Sequence, residues 1–188
     1  TYVSPIANGC QKNFIIYISN GPVQDNNASL ATAQTLLSGL TGKSPPDTIT
    51  ISPNGMQNVW MDEYAKFMAN NDCNANFSGN QTVTTYTVYT VDVDPGTTGQ
   101  GPDHTALLKS TATNGKGKYF SVTSGSGGAQ ILSTLKQIFS EVQSVNSVFA
   151  STTLPVSVNV RGTNLNQVYI GVFRPDQTKA PRWLGNLK

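Results

Sequence analysis

NFIIYIS, at residues 13–19, is the stretch that decides the fold class of this chain. It is a continuous apolar run between polar residues, which is typical of a strand covered on both faces of a parallel sheet. The turn formers Asn20, Gly21 and Pro22 follow it directly. We therefore predict a strand at the centre of a sheet, with a helix after the turn.

Helices and strands alternate downstream of this strand. Apolar residues recur with helical spacing in four segments, residues 30–40, 56–69, 103–112 and 131–145. The second helix is predicted to bury Trp60, Tyr64, Phe67 and Met68. Runs rich in Val, Thr and aromatic residues predict strands at 83–93 and 118–122. This order indicates an α/β fold with a doubly wound, Rossmann-like sheet and right-handed crossovers.

The pattern changes beyond Phe149. Two β-rich runs, at residues 154–160 and 167–173, flank a turn, and no helical period returns before Lys188. We therefore predict an α/β domain at residues 1–150 and a β-rich segment at 151–188, which is too short to be a domain alone.

The composition limits the classes of partner. Charged residues make up 12% of the chain, against about 25% in a typical soluble domain. The net charge is only +2 and the basic residues are scattered, which argues against binding to nucleic acid. The longest apolar run is too short to cross a bilayer. An exported protein that is not inserted in a membrane is the class that this composition favours.

The chain contains two cysteines, Cys10 and Cys73, and one histidine, His104. This set cannot form a zinc or haem site of the usual Cys and His spacing. The cysteines are either buried free thiols or a disulfide. Because the composition favours export, we predict a disulfide between Cys10 and Cys73.

A ligand of a doubly wound sheet binds at the carboxyl ends of its strands. The predicted binding residues are therefore those at the end of the first strand and in the loop after it: Ser19, Asn20, Gly21 and Asp25. No catalytic residue and no metal ligand is predicted among them.

The run IIYISNGP, residues 15–22, resembles a late strand of von Willebrand A domains. In that family the strand ends in an Asp-Gly pair that supports a divalent cation, and Asn20 stands at the acidic position here. YTVYTVDVD at 86–94 and ILSTLKQIFSEV at 131–142 follow in the family's order, but the family's Asp-x-Ser-x-Ser motif is missing. The resemblance implies a von Willebrand A-like domain that is incomplete at its N-terminal side. Its cation site would be incomplete too, so we expect no cofactor.

Three longer stretches resemble the type IV pilus tip adhesins of the PilY/PilC kind: CQKNFIIYISNGP at 10–22, LNQVYIGVFRPD at 165–176 and PRWLGNLK at 181–188. In that family the A-like domain passes here into a β-propeller-like domain. The resemblance implies a non-catalytic role in cell adhesion and pilus biogenesis. It also implies minor pilins or other pilus subunits, and a host or abiotic surface, as partners. The expected location is extracellular, at the pilus tip of a Gram-negative bacterium, after export through the periplasm.

Two other functions stay open at this point. An α/β hydrolase or phosphate-handling enzyme would have to bring together Asp25, Asp92, Asp94 and His104. A cation-dependent extracellular binding module would need a complete metal site. The GKGK run at 115–118 lacks the spacing of a phosphate-binding P-loop, and Asp94-Pro95-Gly96 is also explained as a turn.

Overall fold

The computed structural model describes residues 3–22, 27–91, 99–123, 127–146, 149–152, 170–174 and 184–187. The chain divides into two compact units, Thr1–Thr134 and Leu135–Lys188. A compact unit is not by itself a domain that folds alone. The domain boundary near residue 150 therefore stays a prediction.

The first unit contains a parallel sheet with helical connections. Its elements follow one another as β1 (Asn13–Ser19), α1 (Asn27–Thr41), α2 (Met61–Asn70), β2 (Val83–Val91), α3 (Gln100–Asn114) and β3 (Lys116–Thr123), and helix α4 (Gly127–Asn146) comes next. The three strands pair in the order β1-β2-β3, all parallel. Helix α3 packs on β2 and β3, and α2 packs on β2 and α3. This arrangement confirms the predicted α/β class and is compatible with a Rossmann-like fold.

β2, not β1, is the central strand among the described residues. β1 pairs with β2 on one side only, and Ile18 is 50% exposed and Ile15 37% exposed. In β2, by contrast, Thr87 and Val88 are fully buried. The prediction that residues 13–19 lie mid-sheet is therefore wrong for this part of the chain. An apolar run predicts that a strand forms. Its place in the sheet depends on hydrogen bonds to strands that are distant in the sequence.

Helix α2 is shorter than predicted and buries a different face. It begins at Met61, because Trp60 has a left-handed backbone with φ of 63°. Its buried residues are Asp62, Glu63, Ala65 and Ala69, whereas Tyr64, Phe67 and Met68 are only half-buried. Trp60 is buried as predicted, although it precedes the helix. The predicted stripe is therefore wrong for the other three residues. The two acids can be buried because each has a partner from another segment.

The GKGK run marks a close approach between β2 and β3. Lys116 has a positive φ of 58°, and its Nζ donates to the carbonyl oxygen of Ala69 at 2.8 Å. A Cβ added to Gly117 would overlap the carbonyl oxygen of Thr85. The pairing of β2 and β3 is irregular at this point, between Thr85 and Thr87. The glycine is therefore explained by backbone packing.

The second unit contains an antiparallel sheet of three strands. β4 (Phe149–Thr152), β5 (Ile170–Arg174) and β6 (Leu184–Leu187) pair in chain order. β5 overlaps the strand predicted at 167–173. The strand predicted at 154–160 lies outside the described residues.

Candidate functional site at the carboxyl end of β1

Ser19, the last residue of β1, contacts a histidine of α3. Its Oγ lies 2.9 Å from Nε2 of His104. His104 is fully buried, and Ser19 is 8% exposed. The ring of Tyr89, on the neighbouring strand β2, meets the imidazole edge-on at 5.2 Å between centroids. The contact therefore joins the end of β1, the end of β2 and the first turns of α3.

The hydrogen bonds assign the proton on this histidine. Ser19 Oγ donates to the carbonyl oxygen of Gly21 at 2.7 Å. Because a hydroxyl has one proton, this bond to Gly21 goes together with the tautomer in which Nε2–H of His104 donates to Ser19. Nδ1 is buried and has no hydrogen-bond partner among the described residues, and burial lowers the pKa of His104. Burial therefore favours the neutral imidazole, and in this tautomer Nδ1 carries no proton.

This geometry differs from that of a nucleophilic serine. A catalytic serine gives its proton to Nε2, and a carboxylate holds Nδ1–H on the other side of the ring. Here the serine proton points to Gly21, and the adjacent carboxylate, Asp103, accepts the backbone N–H of Gly55 through Oδ1 at 3.1 Å. In this arrangement the Ser-His contact holds the turn after β1 against α3.

The predicted binding residues have different environments in the structure. The side chain of Ser19 is turned inward to His104, whereas Asn20 is exposed and Gly21 is half-buried. Asp25 lies outside the described residues. The sequence analysis did not foresee the Ser19–His104 contact, because 85 residues separate the two and neither belongs to a recognisable motif.

Of the four residues required by the hydrolase hypothesis, only His104 lies among the described residues. Asp92 and Asp94, like Asp25, lie outside the described residues. His104 contacts Ser19, which that hypothesis did not include. The convergence of these four residues stays a prediction.

Cys10 and Cys73 are free thiols in the structure, so the predicted disulfide is not formed there. Their segments do meet: Gln81 accepts the backbone N–H of Cys73 at 2.9 Å, and its side chain reaches the carbonyl oxygen of Gly9 at 3.5 Å. However, Sγ of Cys73 lies 3.6 Å from the carbonyl oxygens of both Met68 and Asn71, to either of which its single proton can be donated, and Cys10 is exposed. The composition favoured a disulfide, but the two thiols are not bonded to each other in the structure.

No family model, no curated protein and no solved structure matches this chain. The function of this chain is therefore inferred from its own residues and from their arrangement.

Among the described residues, no three His, Cys, Asp or Glu side chains come together as a ligand set. Within the same ranges, no helix has the length and apolar character needed to cross a bilayer.

A second polar centre lies on α2. Asp62 accepts the hydroxyl of Ser110 through Oδ2 at 2.5 Å, and Glu63 accepts the backbone N–H of Ile49 through Oε1 at 2.8 Å. The pKa of Glu63 is raised to about 7, mainly by burial and to a smaller extent by the neighbouring Asp62. The sequence analysis missed both acids. Their only signal is that two adjacent carboxylates interrupt an otherwise apolar helix face.

Proposed function

We propose that this chain is a non-catalytic adhesion and assembly module of a type IV pilus tip, as its resemblance to PilY/PilC-like proteins implies. The finer fold assignment in this proposal is the second half of a von Willebrand A-like domain. Minor pilins or other pilus subunits, and a host or abiotic surface, are the partners. The module acts outside a Gram-negative cell, after export through the periplasm, and requires no cofactor.

One observation carries the proposal. The hydrogen bonds of Ser19 to Gly21 and His104 hold the turn after β1, while Asn20 between them stays exposed. An exposed residue on a turn whose backbone is already fixed by hydrogen bonds loses little conformational entropy when a partner binds. This is how a binding surface at the strand ends of an α/β fold is built. The parallel sheet supports the proposal because it brings the ends of β1 and β2 side by side.

The proposal is tested by replacing Asn20. We expect Asn20→Lys to lower the attachment of piliated cells at least about fivefold, as loss of a central interface contact does. Asn80→Lys is the matched control, because Asn80 is also exposed but precedes the amino end of β2. Both variants should keep the wild-type melting temperature. Deletion of the gene with piliation and attachment intact would rule out the proposal.

A serine hydrolase is the second candidate, and the 2.9 Å distance between Ser19 Oγ and His104 Nε2 favours it. A fluorophosphonate reagent separates the two functions, because it labels only serines activated by a base. The adhesion module should stay unlabelled at any pH between 6 and 9. Labelling that disappears in Ser19→Ala would establish the enzyme instead.

A further inference from the structure

A cavity of about 410 Å³ lies between α1 and α2, away from the turn after β1. It is bounded by the C-terminal part of α1, the loop after it and one side of α2 from Glu63 to Asn70. Cavities of roughly 300–1,000 Å³ are the size of small-molecule sites. Since α2 leads to the start of β2, the cavity belongs to the opposite end of the strands from Asn20.

The walls of the cavity combine apolar side chains with one buried acid. Leu37, Leu40 and Phe67 line it, and so does Glu63. Glu63 is 5% exposed. Its Oε2 accepts a hydrogen bond from no donor among the described residues, and the neighbouring side chain that its carboxyl interacts with, Asp62, is itself an acid that raises the pKa of Glu63. A buried acceptor without a partner is costly and can be satisfied by a donor from a ligand. Oε2 is shielded in this conformation. The terminal torsion of a glutamate is broad, and turning Oε2 to the cavity exchanges the Oε1 bond to the backbone N–H of Ile49 for a bond to the ligand.

The charged groups at the cavity differ in their access to water. Lys43 is already paired with Asp47, and both are exposed. Lys66 is exposed as well. A charge acts more strongly where water is excluded. Glu63 therefore selects the charge of a ligand more strongly than the lysines do.

We propose that this cavity binds a small amphipathic amine, with its apolar group between Leu37, Leu40 and Phe67 and its ammonium group on the Glu63 carboxylate. The apolar walls supply affinity by burying hydrocarbon, and the carboxylate distinguishes an amine from a neutral molecule of the same shape. This site is separate from the adhesion surface and does not depend on the proposed function.

Three small molecules of similar shape test the proposal: 2-phenylethylamine, 2-phenylethanol and 3-phenylpropanoate. In ligand-detected NMR titrations of the 188-residue chain at pH 8, where Glu63 is ionised, the amine should bind at least about tenfold more tightly than the alcohol. The carboxylate should bind most weakly. Equal binding of amine and alcohol, preference for the carboxylate, or no binding of the amine in the millimolar range would overturn the proposal.

Two variants locate the binding. Glu63→Gln should abolish the preference for the amine while leaving the alcohol unaffected. Leu40→Asn should weaken both, and Leu36→Asn is the matched control, because both leucines are exposed on α1 but only Leu40 lines the cavity. Equal effects of the two leucine variants would place the amine elsewhere. Asn20→Lys should leave amine binding unchanged, so the failure of one proposal is distinguishable from the failure of the other.

Discussion

Ser19 is held through both its side chain and its backbone. Its hydroxyl contacts Gly21 and His104, and its carbonyl oxygen accepts the hydroxyl of Thr90 on β2 at 3.2 Å. These bonds connect the last residue of β1 to the adjacent strand and to α3. A single hydroxyl therefore stabilises the turn on which the proposed adhesion surface depends.

Removing that hydroxyl should destabilise the protein. Ser19→Ala leaves Nε2–H of the buried His104 without its acceptor, and an unpaired buried donor costs about 1–3 kcal/mol. Urea unfolding measures the loss. Ser133→Ala is the control, because Ser133 is exposed on α4 and bonds only to the carbonyl oxygen of Gln130. A Ser19→Ala variant as stable as the control would mean that the contact contributes nothing.

The two thiols should react at different rates. Cys10 is exposed, whereas the Cys73 thiol contacts two carbonyl oxygens and its pKa is raised, first by burial and then by Asp72. Because the thiolate is the reactive form, iodoacetamide should alkylate Cys10 first. Mass spectrometry without a reductant follows the two sites, with Cys10→Ser and Cys73→Ser to assign them. Protection of both until a reductant is added would show that they are bonded.

At the scale of elements, the contact between β2 and β3 is set by two glycines at the start of β3. Gly115 and Gly117 both lie where a Cβ would overlap atoms of Thr85 or its neighbours. A Cβ added to Gly39 on α1, by contrast, would meet no atom within 4 Å. The two kinds of glycine should therefore respond in opposite directions to the same substitution.

Gly117→Ala should destabilise the protein by about 3 kcal/mol, because the backbone of Thr85 cannot give way without disturbing the sheet. Gly39→Ala should stabilise it by about 0.5–1 kcal/mol, because alanine restricts the unfolded chain and favours the helix. Chemical denaturation of both variants measures the pair. A tolerated Gly117→Ala would show that β2 and β3 are farther apart than the structure has them.

For the molecule as a whole, Glu63 makes stability depend on pH. Its pKa is about 7 in the folded protein, against 4.5 for an ordinary glutamate. The folded state therefore holds a proton that the unfolded state releases, and folding is favoured at low pH by this group. Its contribution is fully present below pH 4.5 and is lost as the pH rises through 7.

Glu63→Gln isolates this effect. From pH 4.5 to 8, the wild type should lose stability relative to the variant, by on the order of 3 kcal/mol. Urea unfolding of both proteins at pH 5, 6.5 and 8 tests it, and the difference between them removes the opposite contribution of His104, whose lowered pKa costs stability at low pH. A constant difference across this range would mean that Glu63 is ionised throughout.

The order of helices and strands, and the α/β class, could be predicted from the sequence. The periods of apolar residues depend on neighbours along the chain, so they are visible without the fold. The strands predicted at 13–19 and 83–93, and the amphipathic helix predicted at 131–145, correspond to β1, β2 and α4 for this reason. The position of Asn20 at a strand end follows from the same pattern.

The tertiary structure alone decided which strand is central, which residues meet Ser19 and which acids are buried. β2 is central because it pairs with strands on both sides, and His104 reaches Ser19 across 85 residues of sequence. Glu63 can be buried because the backbone N–H of Ile49 donates a hydrogen bond to its carboxylate. These features depend on contacts between distant segments, and the free energy of such contacts is not encoded in any local period of the chain.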